Sequence, residues 1–385
     1  MRMISNSDYE RFGFGTFGPF LLGFTRWLIR QSGQAGTQKI CFLARDGYMM
    51  KKAWDLLAPA GSPQSLYCRC SRRSLRQSLL HHCGSYRQSL KYLNISKLVS
   101  VGNMLSYYGF MDEEIDEVAA RFGTDRSYAM PWDQVENCRV FRRLYQGLRE
   151  EIHIRSRQQD LLLGQYFDQL GMEGSFTVVD IGWHGSMQYY MEEYFRFHGK
   201  KPQISGLYVG NYSFHHLSGP ASGYLFDDRD LRLRRDVLCF AGVLEKFFQS
   251  REGSAAGYVR RGDRVCVIKE PYEYRDDPEL TGRIRALQKG AYAYIRRSAR
   301  TGKGSTSYER LLRFGMYPTL RETELFQFFY NVDGQKDYFT ARKKLWQYRP
   351  DQLMHDLKYS PWKTGFMKSL FRLPLPYFWI YRLVS

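Results

Sequence analysis

No run of apolar residues in this chain reaches the roughly 18 needed to cross a bilayer as a helix. The opening stretch, MRMISNSDYERFGFG, lacks the charged-then-apolar layout of a signal peptide, which predicts a chain that folds in the cytosol. Cysteine is sparse and scattered, at Cys41, Cys68, Cys70, Cys83, Cys138, Cys239 and Cys266. The number is odd, and Cys68-Arg69-Cys70 is the only close pair. No second pair or nearby histidine completes a zinc tetrad, so reduced core thiols are expected. Neither a P-loop nor a G-x-G-x-x-G turn is present, and there is no fixed-period repeat or low-complexity linker. Acid is also short, with 39 Asp and Glu against 57 Lys and Arg, a formal net charge of +18. Nucleic acid, an anionic membrane face or a phosphate-bearing substrate would each suit that charge. Zinc-finger spacing, an RNA-recognition signature and a long lysine arm are all missing. The basic residues are mostly Arg mixed with aromatics. This favours phosphate and membrane, and no nucleic-acid partner is expected.

What is present is a repeated strand-to-helix grammar. In KICFLARDGYMMKKAW, Ile40 to Ala44 form a short continuous apolar run, as buried strands of parallel sheets do. The run stops at Arg45-Asp46-Gly47, and Tyr48 to Leu57 has helical periodicity. SLYCRC predicts a second strand, ending at Ser71-Arg72-Arg73-Ser74. Phe176 to Val179 predicts a third, followed by the turn Asp180-Ile181-Gly182-Trp183-His184-Gly185-Ser186 and a helix over Met187–Phe195. ISGLYVG (204–210) predicts a fourth. This order implies an α/β fold, a Rossmann-like doubly wound parallel sheet, with a helical insertion and a mainly helical C-terminal region. The chain divides at 1–85 (first α/β segment with N-terminal helices), 86–170 (helical insertion), 171–275 (second α/β segment), 276–360 (helical region) and 361–385 (tail). The stretch 139–171 reads as a long charged helix broken once.

Ligands of open α/β sheets bind beyond the carboxyl ends of the strands, where both junctions lie. Gly47, Gly182 and Gly185 allow close backbone approach. The helix start after Gly185, with the Ser186 hydroxyl, is suited to an anion. Arg45, Arg72 and Arg73 follow strands and suit bidentate phosphate recognition; His184 and Gln188 are further candidate ligand-binding groups. Asp46, Asp180 and Glu245 are the candidate catalytic carboxylates, for binding hydroxyls or moving a proton. The bland alternative is that Asp46 and Asp180 merely cap turns and the glycines serve packing. FDDRD (226–230) contains Asp228-x-Asp230, a pattern used to hold nucleotide diphosphates through a metal, but its alternating acids and arginines read better as a self-paired loop. No metal is assigned. Arginines and a helix N-terminus can stand in for one, so no cofactor is required, although magnesium would be compatible.

The tail, SPWKTGFMKSLFRLPLPYFWIYRLVS, has no acid after Asp356 and interleaves Lys363, Lys368, Arg372 and Arg382 with aromatics. Pro374 and Pro376 split it. A basic aromatic amphipath of this kind is expected to lie in the interface of an anionic inner-membrane leaflet, its alternative being to pack on its own domain.

FLARDGY, SRRSL and VVDIGWHGSMQ, in this order, together with GLYVG and LEKFFQSREGSAAGY, resemble a family of bacterial surface-polysaccharide proteins. The resemblance covers roughly residues 10–300. The family is often labelled as predicted haloacid-dehalogenase-type hydrolases. Its members commonly lie in O-antigen or capsule gene clusters and are often fused to glycosyltransferases. That hydrolase chemistry needs a second Asp two residues after the nucleophile. Asp46 is followed by Gly47 and Tyr48, and Asp180 by Ile181 and Gly182. The resemblance therefore implies a glycosyltransferase of O-antigen or capsule assembly, peripheral on the cytoplasmic face of the inner membrane. It would move a sugar from a nucleotide-sugar donor to a lipid-linked glycan acceptor. A phosphohydrolase using Asp46 and a non-catalytic assembly scaffold are the alternatives.

Overall fold

The structure, a computed structural model, describes residues 4–93, 98–172, 174–212, 214–333 and 335–384. Its centre is a five-stranded, all-parallel sheet. The strands are β1 (Lys39–Leu43), β2 (Gln64–Cys68), β3 (Phe176–Trp183), β4 (Ile204–Asn211) and β5 (Ala221–Phe226), in the spatial order β2-β1-β3-β4-β5. The two α/β segments read in the sequence thus share one sheet. Strand order reverses between β1 and β3, which makes that point the topological switch where such sheets bind ligands.

Alternation along each strand divides the core in two. Ile40, Phe42, Val179, Ile181, Leu207 and Val209 face a layer built from α1 (Gly18–Ala35), α2 (Gly47–Leu57) and α7 (Pro278–Thr301). Cys41, Leu43, Phe176, Val178 and Tyr208 face the other layer, built from α3 (Arg72–Leu79), α4 (Arg139–Gln169) and α5 (Ser186–Phe197). The remaining helix next to the cleft, α6 (Ala241–Phe248), belongs to the first layer.

Three details depart from the sequence reading. The long helix α4 is unbroken over 31 residues; Gly147 within it makes room for Phe122, whose ring would sit 2.3 Å from an added Cβ. Strand β3 runs on to Trp183, so Asp180 lies within the strand, opposite Tyr208 of β4. Strand β5 and the hairpin of β6 (Ala255–Arg261) and β7 (Arg264–Lys269) were not expected. All seven cysteines are free thiols, six of them buried.

The tail is folded rather than merely amphipathic. Trp362 is fully buried and its indole donates to the Gly315 carbonyl at 2.9 Å. Helix Lys363–Phe371 buries Phe366 and Leu370, and Tyr377 and Phe378 of helix Tyr377–Val384 are buried too. Self-packing, the weaker of the two sequence readings, accounts for this inner face. The outer face keeps Leu373, Leu375, Trp379 and Leu383 exposed. No helix among the described residues is long and apolar enough to cross a membrane.

Candidate active site at the switch point

A cleft of about 230 Å³ opens at the carboxyl edge of β1, β2 and β3. Three helices begin there. Asp46 precedes α2, Ser71 caps α3, and Gly185 precedes α5 in the left-handed conformation at φ 67°. Helix N-termini carry partial positive charge and N–H groups without intrahelical partners, so three of them aimed at one cleft polarise it positively. Two glycines are required by contact. A Cβ at Gly47 would lie 2.8 Å from the Phe42 carbonyl carbon, so α2 starts flush against the end of β1. Gly182 sits at φ +99°, and a Cβ there would lie 2.4 Å from the Gly210 oxygen on β4.

Asp46, Asp180 and Glu245 converge on this cleft with Arg45, Arg72, His184 and Ser186. Asp46 makes no capping bond to α2, so the reading of it as a cap fails. Burial pushes the Asp46 carboxyl well above the usual range, and the charges of Asp180 and Glu245 push it further. Burial also raises Asp180, to about 6, although its bond to the Ile181 backbone and the Arg72 charge pull it down. Glu245 is held from β3, because Trp183, at φ 69°, donates its indole N–H to Oε1 at 2.8 Å. Burial lowers His184, so its ring is neutral near pH 7; it stacks on Phe214, with ring centroids 4.3 Å apart. Arg45 reaches Glu273 at 3.6 Å, and Glu273 also holds the buried Lys246 at 2.6 Å. These pairs fix the rim on which Arg45 stands.

Three candidates, Gly47 (buried where α2 abuts the end of β1), Gln188 and Arg73, do not line this cleft. Gln188 is fully buried beneath it: its amide donates to the Ile204 and Gly219 carbonyls and to Glu192, and it accepts from the Tyr208 hydroxyl. As the third residue of α5 it is carried round to the inner face, and its role is to tie α5 to β4. Gln188→Ala is expected to cost about 3 kcal/mol, from lost hydrogen bonds and partners left unpaired. Urea unfolding would record this as a lower midpoint at unchanged slope. Arg73 points into a neighbouring cleft, bonded to Glu270 at 2.8 Å and to the Ser106 carbonyl. Adjacent residues on a helix diverge by about 100°, so Arg72 reaches both clefts while Arg73 lines only the neighbouring one.

The acids of 226–230 lie outside the cleft lining. Asp227 pairs with Arg229, and Asp230 with Arg232. Ser71, Tyr208 and Ser254 line the cleft but carried no chemical signature in the sequence. Among the described residues, no group of three or more His, Cys, Asp or Glu side chains could hold a metal ion. No protein-family model matches the chain, and no curated protein is significantly similar to it.

Proposed function

We propose that the protein is a glycosyltransferase acting on a nucleotide-activated sugar, within bacterial O-antigen or capsule assembly. The observation that carries this reading is the meeting of three helix N-termini, Arg45 and Arg72 with three carboxylates in one cleft at the switch point. Carboxylates bind sugar hydroxyls. A positively polarised edge stabilises the negative charge that develops on a departing diphosphate, without requiring a metal. The roles divide by protonation. Asp46, held toward its neutral form, donates to a sugar hydroxyl. Asp180, poised at about 6, accepts the acceptor's proton near neutral pH. Glu245, fixed by Trp183, orients the sugar. Magnesium has no obvious ligand set among the described residues. The pathway assignment rests on the motif resemblance.

The acceptor in this reading is a lipid-linked glycan, reached from the membrane surface. The exposed apolar residues of 361–385, beside Lys363, Lys368, Arg372 and Arg382, support peripheral attachment to an anionic leaflet. Transfer of labelled sugar to membrane lipid, across a panel of nucleotide sugars, is the test. Absence of both binding and transfer for every donor overturns the proposal. A phosphohydrolase with Asp46 as nucleophile draws support from that residue's place at the end of central strand β1. The raised affinity of its carboxyl for a proton counts against it, since a protonated carboxyl is a poor nucleophile.

A further inference from the structure

A second cleft, of about 310 Å³, adjoins the first. Ser71, Arg72 and Ser254 line both. The charge balance of the two differs. Among the described residues, the first cleft sets Asp46, Asp180 and Glu245 against Arg45 and Arg72. The second sets Arg72, Arg73 and Arg76 against Glu270 alone. All three arginines stand in the first two turns of α3, where the helix's own positive end adds to their charge. Arg76 is buried and fixed, its guanidinium 4.5 Å over the Tyr190 ring and bonded to the Leu93 carbonyl. Arg73 is held by Glu270, whose side chain is 41% exposed, and its Nε is buried without a hydrogen-bond partner. The cluster is therefore preorganised, with only one carboxylate for an incoming anion to displace.

We propose that this arginine cleft is the binding site for the diphosphate of a diphosphate ester whose sugar lies in the carboxylate cleft, with Arg72 spanning the two. The inference rests on the transferase reading and refines it, since the sequence alone points to the Gly182–Ser186 turn for the diphosphate. Electrostatics favours the division. A dianion beside Asp180 and Glu245 meets repulsion, whereas hydroxyls there meet acceptors and the protonated Asp46; the positive edge that suits the diphosphate is the shared rim at Ser71 and Arg72, where α3 begins. Beside three guanidiniums the dianion meets bidentate donors. Size agrees: about 230 Å³ suits one sugar ring but not a sugar with its diphosphate and nucleoside. The shared chemistry is the diphosphate, which a nucleotide-sugar donor and a lipid-linked acceptor both carry.

Calorimetric titration of the full chain with uridine diphosphate, and separately with geranyl diphosphate, tests this. Arg73→Ala should raise Kd about 10- to 100-fold for whichever probe binds. Glu270→Gln should lower Kd about threefold, because it frees Arg73 and removes the one like-charged neighbour of the ligand. A merely structural Arg73–Glu270 pair would not give these opposite signs. Arg45→Ala, which removes a cation from the sugar's cleft only, should raise Kd less than Arg73→Ala does. Binding of uridine diphosphate assigns the site to the donor, and binding of geranyl diphosphate alone assigns it to the acceptor. The inference is overturned if neither probe binds the wild type, or if Arg45→Ala abolishes binding while Arg73→Ala does not. Diphosphate bound through Arg73 with no sugar transferred from any donor would uphold this site and remove the transferase reading.

Discussion

Asp180→Asn is expected to unfold at a higher temperature than the wild type at pH 8 and at the same temperature at pH 4, while losing about 10²- to 10⁴-fold in sugar transfer. The sign follows from linkage. In the folded protein burial raises the Asp180 carboxyl to about 6, against about 3.9 in an unfolded chain. The folded state therefore binds this proton more tightly. Its stabilising contribution is complete below about pH 4 and is lost as pH rises through about 6. Asn is neutral throughout and can still accept the Ile181 N–H, so it escapes the cost of burying charge that the wild type meets above pH 6. Transfer by the wild type should rise with pH around an apparent value near 6, and that limb should vanish in the variant. An Asp180→Asn protein that is less stable at pH 8 would show that the carboxylate is held by structure rather than strained for function. Melting curves at the two pH values and a pH–rate profile measure both halves.

Arg72→Ala is expected to lower turnover about 10²- to 10³-fold, the loss typical of removing one donor aimed at developing negative charge. Arg72 lines both clefts, is exposed at its position on α3, and lowers the Asp180 carboxyl through its charge. The same substitution should therefore move the low-pH limb of the rate profile upward. Arg72→Lys keeps the charge but not the planar fork. It should restore the position of that limb while recovering only part of the turnover. A turnover change of less than about threefold in Arg72→Ala would remove it from the chemistry.

The junctions were legible because each couples two independent local signals. Ile40 to Ala44 is too continuously apolar for an edge strand, and Arg45-Asp46-Gly47 ends it with groups that have no place in a core. Phe176 to Gly185 repeats that pattern, and together the two place the switch point. Strand β5 was not legible, because ASGYLF is short and opens with Ala, Ser and Gly, which mark loops as readily as strands. Gln188 was misplaced for want of rotational phase. A polar side chain near a helix start looks ligand-facing until the fold turns it toward the Ile204 and Gly219 carbonyls. Arg73 fell to the same ambiguity. The carboxylate trio was readable as a set of candidates but not as a cluster, since Glu245 joins it from a helix far along the chain, held in place by the Trp183 indole.

The seating of Trp362 has a practical consequence. Its ring fills a socket floored by Phe314 and Phe326, centroids 4.7 and 5.9 Å away, and its indole is latched to Gly315. Trimming the chain before this residue would uncork the interior, and the resulting collapse would masquerade as failure to reach a bilayer. Only replacements at outward positions such as Trp379 and Leu383 can separate attachment from integrity. Because Trp362 and Phe378 are packed into the main core, a chain gripping a vesicle by those outward side chains would hold the carboxylate cleft at one height and tilt.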